Sequence, residues 1–316
     1  MSLKQQFEAQ GFLVVENLVP DEARHALIED YTQLLDQLAH HFYAMGKLPS
    51  AFEHLPFEQR LAAALNESQE NLFQYFDISL PNTEQFPEEP PIHLSQAIFD
   101  LIRSPKILDV VEVLIGSEIY SNPIQHIRIK PPQNVTTKNA NQSTLVTQTG
   151  WHQDQGVSRE ASDDTNMITC WVAITDATIQ NGCLEVIPYS HRDGLTTHCP
   201  TNQMTIPTTL LDGDPVPIEI KAGSALFLHR LTKHASLPNM SEGIRWSFDL
   251  RYQPIGQPTG RDEFPGFVAR SRQHPEQELH DFDVWQQSWH DAYHMLREKG
   301  ERAKTHRWDG DAPVCA

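Results

Sequence analysis

The segment Trp151-His152-Gln153-Asp154-Gln155 sets an imidazole and a carboxylate two residues apart. On an extended segment residues i and i+2 point to the same side, so both side chains can reach one metal ion. Two imidazoles and one carboxylate on one face of an ion leave the other positions open, the arrangement of non-haem Fe(II) oxygenases. The chain has 16 histidines, and a second His-x-Asp stands at His191-Arg192-Asp193. That one follows a strand-like run and precedes Gly194, so it reads as a turn. The third ligand is sought in GSALFLHRLTKHASLPN (223–239), which offers His229 and His234. His229 ends a strand-like run and reads as core or as a supporting residue, whereas His234 follows the turn. Arg245 comes eleven residues after His234. Its planar guanidinium can hold a carboxylate through two parallel N–H bonds, which suits a dicarboxylate that chelates the metal at its other end. The competing role for Arg245 is a surface ion pair. Ser236, two residues after His234, shares its side on an extended segment and can offer that carboxylate a hydroxyl.

These residues need a scaffold of strands. From about residue 119 to 252 the chain gives short β-rich runs separated by turns: 124–130, 166–174, 182–188, 216–223, 224–229 and 245–254. No helical pattern alternates with them, so the pairing should be antiparallel, in a β-sandwich or barrel. Ahead of them a short strand is expected at 11–18, and a long amphipathic helix at 22–45 from apolar positions such as Ala23, Leu27, Tyr31, Leu34, Leu35 and Leu38. Further helical patterns run over 57–65 and 94–114, the second broken by Pro105. After Pro254 the chain reads as loop to Pro275, then helix at 284–299 and an irregular tail. The polar segments 131–150 and 158–164 flank His152 and Asp154, and each is either a lid or a surface insertion.

The 42 acidic and 24 basic residues give a net charge of −18, a surface that repels nucleic-acid phosphates and anionic lipid. No apolar run approaches the roughly 20 residues that cross a bilayer. The first 18 residues hold one lysine and no long apolar stretch, so no signal peptide is expected. Four cysteines in 316 residues, none in a C-x-x-C pair, do not suggest a disulfide framework. Together these features give the expectation of a cytoplasmic protein, monomer or homodimer, acting on a small molecule.

The stretches 7–24, 151–156 (WHQDQG), 181–194 (NGCLEVIPYSHRDG) and 222–254 resemble the phytanoyl-CoA dioxygenase family, which includes ectoine-hydroxylase-like enzymes. The resemblance implies a mainly β fold with α: a double-stranded β-helix (jelly roll, cupin-like) core over 119–254, an N-terminal helical layer over 1–118 and a C-terminal extension with a helix over 255–316, all one domain. It implies Fe(II), 2-oxoglutarate and O2. It places His152, Asp154 and His234 on the metal, Arg245 on the distal carboxylate of 2-oxoglutarate and Ser236 beside it. It makes His191 part of a turn and not a ligand, with Tyr189 where relatives commonly have glycine. Lys130, Gln125 and Trp171 fall where relatives contact co-substrate or substrate; for Trp171 core packing is the competing role. Because Asp154 is present, the resemblance favours hydroxylation over halogenation. The alternatives are a non-catalytic jelly-roll protein that binds a metal or ligand, and oxygen-independent metal chemistry on the same fold.

Overall fold

The computed structural model describes residues 1–68, 72–81, 86–133, 148–201, 203–300 and 306–315. The N-terminal part is helical: α1 (Leu3–Gln10), the short strand β1 (Phe12–Val15), α2 (Asp21–Ala44), α3 (Phe57–Glu67), α4 (Gln96–Ile102) and α5 (Pro105–Ile115). Ser2 and Gln5 form a reciprocal capping box at the start of α1. Pro105 opens α5 rather than breaking a longer helix, because the first turn of a helix does not need its missing N–H. Strands follow: β2 (Glu118–Lys130), β3 (Ile168–Ala173), β4 (Leu184–Val186), β5 (Cys199–Pro200), β6 (Met204–Thr205), β7 (Val216–Ile218), β8 (Ala225–His229), β9 (His234–Ser236), β10 (Arg245–Pro254) and β11 (Phe267–Ser271). The last long helix is α6 (Phe282–Lys299), N-capped by the Asp281 carboxylate.

A six-stranded sheet runs in the order β1-β8-β3-β10-β2-β11 and a three-stranded sheet in the order β7-β4-β9, with antiparallel pairing throughout. The expected strands are present: most have trimmed ends, β10 keeps its expected bounds, and β2 starts earlier, at Glu118. β11 was not expected, since the chain after Pro254 reads as loop; five residues pairing with one edge of β2 give too short an alternation to stand out.

Strand β10 organises both halves of the molecule. Side chains on a strand alternate between faces. Trp246, Phe248, Leu250 and Tyr252 join the core under the helices, while Arg245, Ser247, Asp249 and Arg251 take the other face. On the helical side Tyr31 of α2 packs edge-on against Trp246 at 5.1 Å and Phe248 at 6.2 Å, and its hydroxyl donates to Phe76 O at 3.0 Å. Phe57 of α3 stacks on Trp246 at 5.6 Å. Burying each large apolar side chain contributes about 1.5–3 kcal/mol. A slip of one residue would put four large apolar groups on the polar side, so the register is strongly fixed. A smaller apolar cluster joins the two sheets: Trp171 and Ala173 of β3, Leu226 and Leu228 of β8, Leu184 and Val186 of β4.

Two sequence expectations change here. Cys199 and Cys315, 116 residues apart, are bonded to each other, while Cys170 and Cys183 are buried thiols. Their spacing gave no hint, because β5 and the tail meet only in the folded chain. Segment 158–164 is not a free flap: Ser158 and Ser162 are buried, and Gln155 Nε2 donates to Ser158 Oγ and to Ser162 O, both at 3.0 Å. Most of the other flanking segment, 134–147, lies outside the described residues.

Candidate metal and co-substrate site

His152, Asp154 and His234 come together, buried, with one ligand atom from each within 4.8 Å of the others. Their approach has a backbone cause. His152 and His234 face each other in an isolated antiparallel bridge, with His152 N donating to His234 O at 2.9 Å and the reverse bond at 3.0 Å. The imidazole centroids then lie 4.2 Å apart. The chain is extended at Gln153 and turns at once into a short 3-10 segment, Asp154–Val157, which brings the carboxylate round. The expected extended segment from His152 to Asp154 therefore runs only as far as Gln153, and the turn at Asp154 brings its carboxylate to the imidazoles.

The imidazoles are oriented by their outer nitrogens. His152 Nδ1 lies 2.9 Å from Gly150 O and His234 Nδ1 lies 2.9 Å from Thr232 O. A carbonyl accepts only, so each Nδ1 carries the proton and each Nε2 lone pair faces inward, as a metal ligand requires. Both Nε2 atoms are 3.9 Å from an oxygen of Asp154. Burial, then the neighbouring His234, holds the His152 imidazole neutral well below its ordinary range. For Asp154 burial is the largest influence and would raise its pKa, but Arg251, His234, His152 and the Thr169 hydroxyl together hold it well below the usual carboxylate range. Thr169 Oγ1 donates to Oδ2 at 2.5 Å, and Arg251 pairs with Oδ1. This donor set, two neutral imidazoles and a carboxylate on one side, fits a divalent ion with open positions.

Next to the triad lies a small cavity lined by Arg128, Thr149, Thr169, Trp171, Leu184, Leu228 and Asp249 together with the three ligands. Deeper along β10, Arg245 is fully buried and directly opposite Lys130 of β2. Arg245 Nη1 donates to Ser247 Oγ at 2.7 Å, but its Nε and Nη2 have no hydrogen-bond partner among the described residues. The guanidinium sits over the Trp171 ring at 5.2 Å, and Trp171 Nε1 also lacks a partner. Lys130 Nζ donates to Ser236 Oγ at 2.6 Å and to Leu237 O at 2.7 Å. Burial, then Arg245 and Arg128, push its pKa down to about 6. A protonated Lys130 opposite Arg245 in a buried site is repelled by it, and buried donors left unpaired are costly. A dianion between them would relieve both, so the residues fit a dicarboxylate co-substrate.

Arg245, Ser236, Lys130 and Trp171 thus gather near the triad. Gln125 does not: it is absent from the lining of the cavity beside the triad, and its amide donates to Ser121 Oγ at 2.8 Å. His229 accepts from Leu231 N at 3.2 Å and packs between Phe7 and His191, and His191 sits in the turn after β4. Tyr189 takes φ 67°, the left-handed conformation that glycine adopts freely. Sequence reasoning missed Arg251, Thr169 and the Arg128–Asp249 ion pair. The signal was available in RWSFDLRYQP, where Arg245, Ser247, Asp249 and Arg251 alternate with large apolar residues.

Comparison with known proteins bears on this geometry. A family model described as phytanoyl-CoA dioxygenase matches residues 7–247. The chain is 23% identical over 257 residues to a Caenorhabditis elegans protein named "Probable phytanoyl-CoA dioxygenase", covering 78% of this chain and 72% of that one. It is 24% identical over 267 residues to "Phytanoyl-CoA dioxygenase, peroxisomal" of Rattus norvegicus, covering 80% and 68%. Shorter matches, 30–38% identical, span only 29–40% of the relatives concerned. Among solved structures, the nickel complex of the non-heme monooxygenase ThoJ aligns with a TM-score of 0.56 at 21% identity, over 95% of this chain and 98% of that one, a likeness of fold. The rat relative overturns the expectation of a cytoplasmic location, which rested on cysteine usage and on the lack of a signal-peptide pattern or a bilayer-length apolar run, properties that do not distinguish compartments within the cell. Among the described residues no helix is long and apolar enough to cross a membrane.

Proposed function

The chain belongs to the phytanoyl-CoA dioxygenase family and is an Fe(II)- and 2-oxoglutarate-dependent oxygenase; on that premise we propose that it hydroxylates a small-molecule metabolite or natural-product intermediate, with release of succinate and carbon dioxide. The single observation that carries the co-substrate assignment is Arg245, a buried guanidinium near the three-ligand site with two nitrogens that have no partner among the described residues. We read the two antiparallel sheets as a double-stranded β-helix and the 316 residues as one catalytic domain, monomer or homodimer. The acidic surface supports neither nucleic acid nor membrane as a partner.

Iron with 2-oxoglutarate and dioxygen supplies the oxidising chemistry when bound; the protein supplies ligation, orientation and dryness. His152, Asp154 and His234 would hold the ion, and three protein ligands would leave it free to bind co-substrate and oxygen. Arg245 would grip the distal carboxylate with Lys130 and the Ser236 hydroxyl beside it, and the Trp171 ring lies under the guanidinium. Leu184 and Leu228 form an apolar wall of the cavity, so water is displaced as substrate enters. Anaerobic addition of Fe(II) and then 2-oxoglutarate to the apo-protein should produce a visible metal-to-ligand charge-transfer band that needs both. Metallated protein that gives no band would remove the co-substrate assignment and favour oxygen-independent chemistry.

Lys130 adds a pH signature. Burial and the neighbouring arginines push its pKa down to about 6, so without a carboxylate beside it the amine is largely neutral at pH 7.5. A carboxylate beside it raises that value, and binding then takes up a proton. Co-substrate affinity should fall as pH rises above about 6, approaching tenfold per unit for one proton. Anaerobic calorimetry in buffers of different ionisation enthalpy measures the uptake. Zero uptake at pH 7.5 would place Lys130 away from the co-substrate.

A further inference from the structure

The loop that carries Asp154 is gripped from outside by residues about 150 positions away. Gln153 N, between the two ligands His152 and Asp154, donates to His198 Nε2 at 2.9 Å. His198 Nδ1 lies 2.8 Å from Thr196 O, which fixes the tautomer that lets Nε2 accept. Gly156 leaves the room that the His198 ring needs: a Cβ at Gly156 would lie 2.1 Å from His198 Cε1. Trp308 of the tail stacks on His198, centroids 5.5 Å apart and planes 20° apart, and its indole Nε1 donates to Gly156 O at 2.6 Å. Arg307 pairs with Asp163 at 2.6 Å and donates from Nε to Ser158 O at 3.3 Å and from Nη2 to Gln155 O at 3.5 Å. Two consecutive tail residues therefore bind the carbonyls of 155, 156 and 158. The circuit is closed covalently, because Cys199, next to His198, is bonded to Cys315, and Gly310 packs on Pro200.

We propose that the C-terminal tail is a latch that positions Asp154, with His198 and Trp308 as positioning residues and the Cys199–Cys315 bridge as its closure, so that iron affinity depends on the redox state of this pair. The inference rests on the iron reading of the triad. A ligand's outer partners fix its orientation, and their loss typically costs about 10–100-fold in metal affinity. Asp154 follows Gln153, and the carbonyls that Trp308 and Arg307 hold belong to the next four residues. Opening the bridge takes two electrons and two protons from a dithiol, which leaves as its own disulfide, while Cys199 and Cys315 become thiols. The tail is then held only by non-covalent contacts and its grip on the loop weakens.

The test uses the full chain. Thiols are counted under denaturing conditions before and after treatment with dithiothreitol, which is then removed anaerobically. Fe(II) affinity and the charge-transfer band with 2-oxoglutarate are measured for the isolated, reduced and reoxidised protein and for Cys315→Ser. The expected result is a rise from two thiols to four, a roughly tenfold loss of Fe(II) affinity on reduction and in Cys315→Ser, a shifted band, and recovery on reoxidation. Trp308→Phe keeps the stack and loses one hydrogen bond, so it should fall between the parent and Trp308→Ala. Four thiols in the isolated protein would overturn the proposal, as would an unchanged affinity and band once four thiols are present. A parent protein that binds no Fe(II) would instead overturn the iron reading, and the latch with it.

Discussion

His234→Ala should weaken Fe(II) binding by more than about 100-fold and abolish detectable turnover. The magnitude follows from comparison. Losing a mere outer partner of a ligand costs up to about 100-fold in affinity or activity, and His234 supplies one of three protein ligand atoms. The backbone consequences are small, since the bridge between residues 152 and 234 uses main-chain atoms that alanine retains. Circular dichroism should therefore show a folded protein, and Fe(II) titration a site that no longer fills. A variant that keeps stoichiometric iron and turnover would show that the ligand is another residue, with His229 first to be tested.

Arg245→Ala should leave Fe(II) binding intact and raise the 2-oxoglutarate requirement about 100- to 1,000-fold. Truncating one partner of a buried, hydrogen-bonded charge pair costs about 2–5 kcal/mol, and each 1.4 kcal/mol is a factor of ten. The upper end is not expected, for a reason visible in the site. Arg245 is one of the groups that depress Lys130, so its removal lets Lys130 hold its proton and take over part of the carboxylate's charge. The loss in a Lys130→Met, Arg245→Ala double variant should accordingly exceed the sum of the two single losses. Anaerobic titration of the charge-transfer band measures this directly. An unchanged 2-oxoglutarate dependence would remove Arg245 from the co-substrate site.

The sequence carried the local part of this site and not its enclosure. His152 and Asp154 are close in the chain, and His234 and Ser236 share β9, so their spacing was informative. Arg245 was legible because β10 starts with it. The rest depends on contacts across many residues. Arg251 touches Asp154 across 97 positions, and Trp308 reaches Gly156 across 152; no local pattern encodes either. Gln125 is placed apart from the cavity for a different reason. β2 and β10 change register between Asp249 and Arg251, and position 125 pairs its amide within its own strand, away from the cavity. Strand β11 and the Cys199–Cys315 bond were hidden in the same way, since each depends on which segments meet and not on what either segment prefers.

The two faces of β10 have a consequence for how such a protein can diversify. Positions 245, 247, 249 and 251 lie on the polar face, where Arg251 pairs with Asp154, while 246, 248, 250 and 252 join the core under the helices. Adjacent residues in the chain thus meet separate physical demands. A lineage can change the odd positions only together with the polar contacts they make, such as that of Arg251 with Asp154, whereas a change at an even position disturbs the apolar seat of the strand. One step along the backbone separates the chemistry's surroundings from the protein's support.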